Sequence, residues 1–373
     1  QFVVATETSG SVTLIDLGFD STGVITSANS VAQAAIAANH DFEGAAFTNP
    51  LRNSVWLSEE TGPGLQEYDL GSGSLLQAVS LPTVFNQAAV NRGLESLTIH
   101  PNRSTLWTAN EEALIADGEK ATTSHGTTVR LLQLPLAADT AAPAAQYAYE
   151  VEPIHTTALA STPQSGLVDL VALPDGTLLA LERSFSFTLG TTYLNRIFAI
   201  DLTAATDISG PAFATGLRGQ SYVPVAKELL WSGTADGETL GQNLEGLALG
   251  PRLDDGSWML VGVVDDGGAA DPISEGIVVS WRLTAIESAD FDHDGSIAGE
   301  DLLAWQRGAG RLDGALFSSG DANRDGAVDE ADLLVWESNF GAAGSAARAV
   351  PEPATLCLTL LTMSCLATRR RTM

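Results

Sequence analysis

Leu94-Glu95-Ser96-Leu97-Thr98-Ile99, closed by Pro101, is the phrase that decides the fold, because the chain writes it three times. Phe42-Glu43-Gly44-Ala45-Ala46-Phe47 precedes Pro50, and Leu244-Glu245-Gly246-Leu247-Ala248-Leu249 precedes Pro251. Each is a short apolar strand with one carboxylate near its start. A second strand follows each time, NSVWLSEE, STLWTANEE and SWMLVGVVDD, and it too ends in acid. Several strands per unit, recurring at a period of about 40 to 50 residues, point to propeller blades and away from a sandwich. In a propeller the first strand of every blade lines the central channel, so matched glutamates converge at one end of it.

Further strands fit the same scheme. The quartets EGAAF, SVWLSE, LQEYDL, LLQAVSL and ESLTIH, TLWTANE, TVRLLQL, AQYAYEVE read as two blades. GLVDLVAL, GTLLALE and NRIFAIDL read as a third whose fourth strand is indistinct. Gly71-Ser72-Gly73 and Pro174-Asp175-Gly176 supply turn chemistry at the junctions. The last set, EGLALG, WMLVGVV and GIVVSWRL, lacks an outer strand, which the N-terminal FVVAT and VTLIDL are expected to provide, closing the ring. Residues 204–242 show no clean strand period and read as an irregular insertion. The expected fold is an all-β propeller of five or six blades over residues 1–286, followed by a small α-helical calcium-binding module at 287–341 and a linker and tail at 342–373.

The balance of 18 basic against 46 acidic residues gives a net charge of -28, which argues against nucleic acid as a partner. The two cysteines, Cys357 and Cys365, both fall in the apolar tail. The folded part therefore relies on burial and metal, with no disulfide. The chain begins at Gln1 with no signal peptide, from which an N-terminal piece is expected to be missing or cleaved.

Two twelve-residue loops carry the pattern of a hard-cation site. The first has Asp290, Asp292, Asp294, Ser296 and Asp301 at positions 1, 3, 5, 7 and 12; the second has Asp321, Asn323, Asp325, Ala327, Asp329 and Asp332 at 1, 3, 5, 7, 9 and 12. Oxygen donors at those places, a backbone carbonyl at 7 and glycine at 6 (Gly295, Gly326) wrap a turn around Ca2+. Position 9 of the first loop is Ala298, so water is expected there and a weaker site. This duplicated loop-plus-helix unit resembles a type I dockerin. Dockerins engage cohesins through positions 10 and 11, which here are Gly299 and Glu300, then Glu330 and Ala331, not the small hydroxyl or aliphatic pairs of cellulosomal members. A calcium-folded spacer is preferred to cohesin docking.

Val350-Pro351-Glu352-Pro353, the apolar run 354–368 and Arg369-Arg370-Arg371 resemble the PEP-CTERM sorting tail of Gram-negative bacteria. The resemblance implies a C-terminal membrane helix, removal by an exosortase-type protease, and export to the cell surface, outer envelope or extracellular matrix. A plain membrane anchor is the alternative.

The propeller region, over about residues 40–284, resembles the phytase-like family described by "esterase-like activity of phytase". The phrases are FEGAAF with Ser58-Glu59-Glu60-Thr61-Gly62-Pro63, Asn91-Arg92-Gly93-Leu94-Glu95, Asp169 through Pro174 to Glu182-Arg183, Asn195-Arg196-Ile197-Phe198, Leu244-Glu245-Gly246 and Asp265-Asp266. The resemblance implies a secreted propeller with hydrolytic activity on phosphate or carboxylate esters.

The residues themselves suggest how. Glu43, Glu95 and Glu245 hold matched first-strand places, while Glu59, Glu60, Glu111, Glu182, Asp265 and Asp266 end second strands. Carboxylates about 4 Å apart repel by roughly 1 to 4 kcal/mol and call for protonation or a cation. Calcium suits an all-oxygen set better than zinc. A neighbouring Glu can act as general base, and Arg92, Arg183 and Arg196 can clamp a phosphate. The competing readings are structural: the glutamates bonding to amides of the next blade, the arginines pairing with acids, Trp56 and Trp107 as core. Asp169 stands five residues before its proline, where Glu95 and Glu245 stand six, and is not an equal ring member. No Gly-x-Ser-x-Gly elbow occurs, and the five histidines form no recognisable triad. A non-catalytic calcium-stabilised surface or matrix binding protein is the second reading.

Overall fold

In a computed structural model the described residues run from 2 to 341, apart from 7–9, 37–39, 50–51, 138, 160–161, 175, 189–190, 234–242, 254–256, 266–276, 284–288 and 293–296, together with 358–359. They form five antiparallel sheets. The N-terminal sheet has three strands, β1 (Phe2–Thr6), β2 (Ser11–Phe19) and β3 (Ile25–Ala35). The second is β4 (Phe42–Asn49), β5 (Ser54–Glu59), β6 (Gly64–Asp69) and β7 (Leu75–Ala78). The third is β8 (Leu94–Ile99), β9 (Thr105–Asn110), β10 (Thr127–Ala137) and β11 (Thr140–Ala141), with β12 (Gln146–Val151) also on β10. The fourth is β13 (Gln164–Ala172), β14 (Leu178–Phe187), β15 (Thr191–Asp201) and β16 (Ala226–Gly233). The fifth is β17 (Leu244–Arg252), β18 (Trp258–Val264), β19 (Ile277–Leu283) and the short β20 (Leu358–Thr359).

The arrangement is propeller-like, with four blades of four or more strands beside the three-stranded sheet. First strands of successive sheets lie side by side, β1 on β4, β4 on β8, β8 on β13 and β13 on β17. Core clusters fill the spaces between sheets. Trp107, Val129 and Tyr149 of the third sheet meet Leu170, Leu178 and Ile200 of the fourth. Trp56 and Leu65 of the second meet Leu94, Leu106 and Leu132 of the third. Burying such side chains stabilises each by roughly 1.5 to 3 kcal/mol. Trp56 and Trp107 are thus core residues.

Three expectations are corrected. Four blades and a three-stranded sheet stand where five or six blades were expected. The N-terminal strands do not complete the last sheet: β1 pairs with β2 and β2 with β3 in a sheet of their own. That sheet still meets the last one through Ile25 and Val261. The insertion at 204–242 contains a strand, β16, which is the indistinct fourth strand of its blade. A bulge between Ile197 and Phe198 shifts the β15–β16 register, and three consecutive part-buried or exposed residues, Lys227, Glu228 and Leu229, hide the period of two.

The helical module contains α1 (Gly299–Gly308) and α2 (Glu330–Asn339). Its two halves mirror each other. Trp305 Nε1 donates to the Asp329 carbonyl and Trp336 Nε1 to the Ala298 carbonyl, each at 2.9 Å, so each helix holds position 9 of the other half's loop. No described helix is long and apolar enough to cross a membrane. Apart from Leu358–Thr359, which form β20, the expected membrane helix lies outside the described residues, as do the Pro-Glu-Pro motif, the arginine cluster, Asp266, Asp294 and Ser296.

Candidate functional site

Each matched glutamate sits at a β-bulge. The β8–β9 register slips between Leu94 and Ser96, the β17–β18 register between Leu244 and Gly246, and the β4–β5 register between Phe42 and Ala45. Glu95 and Glu245 are the extra residues, and Glu43 falls inside its slip. A bulged residue leaves the ladder and is re-aimed, which turns these side chains from the sheet face toward the channel end. The fourth sheet has the same slip, between Leu167 and Asp169. Its extra residue is Val168, a buried apolar side chain, so this blade contributes no acid at that place.

Close contact between sheets gathers the second-strand acids onto the first-strand ones. A Cβ on Gly93 would lie 2.0 Å from the Glu60 carbonyl oxygen, and one on Gly166 would lie 2.5 Å from Glu111 Cγ. Only glycine admits these approaches. Glu111 N donates to the Gly93 carbonyl at 3.2 Å, and Leu167 N to the Glu111 carbonyl at 3.0 Å. Carboxylate oxygens of Glu60, Glu95 and Glu111 lie within 4.8 Å of one another, and so do those of Asp41, Glu43 and Glu60. Glu60 belongs to both groups.

Two arginines lie against this cluster. Arg92 Nη1 is 3.0 Å from Glu111 Oε2 and 3.5 Å from Glu60 Oε1, and its Nε is 3.4 Å from Glu112. Arg183 Nη2 donates to Glu111 Oε1 at 2.9 Å, while its Nη1 donates to Glu245 and, at 2.8 Å, to Asn243 Oδ1. Asn243 Nδ2 in turn donates to Asp265 Oδ2 at 3.0 Å. Arg183 therefore spans the fourth blade, where Val168 leaves a gap in the acids.

Electrostatics follow from the crowding. Burial, then Glu111, Glu43 and Glu60, hold the Glu95 carboxyl well above its ordinary range, with Arg183 pulling the other way. Burial also raises Glu60, which hydrogen-bonds to Glu95. Burial pushes Asp169 up to about 7, although the amides of Leu247, Leu170 and Leu97 bond to it. Its Oδ2 accepts from Leu247 N at 2.7 Å and stitches β13 to β17.

Other expected members are elsewhere. Glu59 points away from Glu60 and accepts from His40 Nδ1 at 2.6 Å. Glu182 is 0% exposed and bonded to Tyr149 Oη, Lys227 Nζ and the Glu152 amide, at 2.8, 2.6 and 2.9 Å. Arg196 faces Glu182 at 4.0 Å, not the channel cluster. Glu182 and Arg196 stand opposite one another in the β14–β15 register and so pair within their own blade. Sequence reading missed Asp41, which lies one residue before β4 and carries no repeat signal, and Asn243. It also missed a serine–histidine contact: His155 Nδ1 lies 2.8 Å from Ser184 Oγ. Ser184 is 0% exposed and also accepts from the His155 amide, and His155 Nε2 faces Thr192 Oγ1 at 3.2 Å, not a carboxylate. That geometry is a structural tie, without the oriented acid of a triad.

The donor set of the cluster is all oxygen and strongly anionic, which fits a hard divalent cation. Glu111 is 1% exposed, and its Oε2 has no hydrogen-bond donor although Arg92 lies near it. In the module, Asp290, Asp292 and Asp301 bring carboxylate oxygens within 4.8 Å of one another. In the second loop Gly326 has φ +84, and Asp321 and Asp332 are both 0% exposed. Asp321 accepts from the amides of Asp325 and Gly326 at 3.0 and 2.7 Å, and Asp332 from those of Asn323 and Asp329 at 3.1 and 2.8 Å. The acidic groups of both regions can hold a metal.

The family described as "Phytase-like: Esterase-like activity of phytase" matches residues 10–268. No curated protein matches the chain. Among solved structures, Hsv2 of Kluyveromyces marxianus is 7% identical with a TM-score of 0.24, covering 60% of this chain and 52% of its own. The Hadza microbial sialidase Hz136 is 9% identical with a TM-score of 0.33, covering 69% and 51%. The Trypanosoma rangeli sialidase in complex with sialic acid is 10% identical with a TM-score of 0.29, covering 74% and 41%. This chain spans about half or less of the length of these proteins, and no functional inference is taken from them.

Proposed function

Because this chain belongs to the phytase-like family, we propose that its propeller is a calcium-dependent hydrolase of phosphate or carboxylate esters, with its reaction centre at the acidic channel end. The observation that carries this reading is the meeting of Glu60, Glu95 and Glu111 within 4.8 Å beside Arg92 and Arg183. A calcium ion held by Glu60 and Glu111, with Glu95 beside it, would supply neutralising charge and a Lewis acid for an ester oxygen. Glu60 and Glu111 are the holding groups, since both are buried. Glu95 is the proton-handling group: its surroundings favour the protonated form, and loss of that proton leaves a base for an attacking water. Arg183 orients a phosphoryl or carbonyl oxygen once it turns from Glu245, the more exposed of its two carboxylate partners.

A second reading, a non-catalytic calcium-stabilised surface or matrix binding protein, is favoured by one observation. Both arginines are already engaged by carboxylates, Arg92 by Glu111 and Arg183 by Glu111 and Glu245. Product release from p-nitrophenyl phosphate, p-nitrophenyl acetate and inositol hexakisphosphate, with calcium and with chelator, separates the two. Hydrolase function requires calcium-dependent turnover that falls about 100-fold or more in Glu95→Gln. Turnover on none of these esters supports the binding protein.

The paired loops at 290–301 and 321–332 are part of the same proposal, as calcium-folded structural sites between propeller and tail. The tail motif supports export, processing by an exosortase-type protease and a location at the cell surface, outer envelope or matrix. Cohesin docking is not favoured, for the residues at loop positions 10 and 11.

A further inference from the structure

The second loop of the helical module touches the propeller at the end remote from the acidic cluster. Glu245 is the second residue of β17 and Arg252 its last, which separates them by roughly 20 Å at about 3.3 Å per residue. At the remote end Arg252 Nη1 stands 3.7 Å from Asp325 Oδ2. Arg324 Nη1 donates to Thr177 Oγ1 at 2.7 Å, in the turn between β13 and β14, and its guanidinium lies 4.7 Å over the Phe317 ring. In that turn a Cβ on Gly176 would meet Leu316 at 3.1 Å, and one on Gly314 would meet Asn102, in the β8–β9 turn, at 3.0 Å. Three blades therefore contribute to one seat for the module.

We propose that the second calcium loop is a latch, and that its loading with calcium docks the module in cis onto this end of the propeller. The latch residue is Arg324, which stands at loop position 4, between Asn323 and Asp325. Its backbone has φ +58, left-handed and unfavourable for an arginine. Only the wound loop imposes that conformation, and it is what aims the guanidinium at Thr177. Winding brings Asp321 and Asp332, both fully buried, onto Asp325, an arrangement of like charges that a cation holds together. Asp325 can offer one oxygen to a cation and keep the other toward Arg252. The Arg252 contact by itself is long and part-exposed and contributes little, so docking depends on the shape of the loop.

Amide exchange on the full chain, in calcium and in chelator, tests this. The reporters are the turn amides of Leu173 and Gly176, which donate to Thr177 and Leu173 carbonyls, and the α2 amides, which report folding of the module. Calcium is expected to slow the turn amides about tenfold in the wild type. In Arg324→Ala, which leaves every ligand in place, α2 protection should persist while the slowing at the turn disappears. In Asp321→Asn both should disappear. Turn amides that are equally fast with and without calcium in the wild type would overturn the latch. Slowing that persists in Arg324→Ala would overturn Arg324 as the latch residue, and slowing that persists at the turn in Asp321→Asn would overturn the latch by tracing the effect to a cation bound elsewhere.

Discussion

Arg183 Nη2 donates to Glu111 Oε1 at 2.9 Å across the boundary between the third and fourth sheets. The same guanidinium holds Glu245 of the fifth sheet. One guanidinium thus links acids of the third and fifth sheets across the fourth, whose bulge carries Val168 and no acid.

Replacing Arg183 by alanine removes one of the two arginine partners of Glu111, a carboxylate that is 1% exposed, and leaves only Arg92 on it. Breaking a buried pair from one side costs about 3 kcal/mol or more. Thermal unfolding in chelator should show that loss, and calcium should restore more stability to Arg183→Ala than to the wild type.

Glu95→Gln separates charge from shape. Its surroundings hold the carboxyl well above its ordinary range, so the neutral amide should leave stability in chelator at pH 7 unchanged or raised. Calorimetric titration should show calcium still bound at the cluster through Glu60 and Glu111, with the module loops unaffected.

Acidity should stabilise the metal-free chain. Asp169 is pushed from 3.8 to about 7 by burial, so between those values the folded state binds a proton that the unfolded state has lost. Its contribution is fully present below about pH 4 and disappears as pH rises through about 7. Asp321 has the same sign and the same value. In chelator, unfolding temperature should fall by about 5 °C or more from pH 5 to pH 7.5, and Asp169→Asn should flatten that slope.

Gly93→Ala tests the approach of the second and third sheets. The new methyl would lie 2.0 Å from the Glu60 carbonyl oxygen, and backbone must move to admit it. A loss of about 2 kcal/mol is expected from denaturant unfolding, with weaker calcium binding because Glu60 shifts away from Glu95 and Glu111.

The repeated Glu-Gly and Glu-Ser phrases were legible because a bulge leaves a local mark: an acid, then a small residue, inside an apolar strand. Asp169 was legible as out of register for the same reason, since the residue six before Pro174 is Val168. Asp41 and Asn243 were not legible, because neither lies in a repeat: Asp41 meets Glu43 and Glu60 from just outside its strand, and Asn243 is reached by Arg183 from the fourth sheet. Glu59 and Glu60 could not be told apart, being adjacent, until strand alternation sent the first to His40 and the second to the cluster.

Sequence by itself determined the blade-forming strands, the matched acids and the paired loops, because hydrophobic period, turn residues and ligand spacing are short-range properties of a chain. Only the tertiary structure decided which acids share one space, that Arg183 and not another glutamate completes the fourth blade, and that the second acidic loop rests on the propeller at Thr177 and Arg252. Those outcomes depend on how sheets pack against one another, and side chains brought together from opposite ends of a chain leave no common mark in its order.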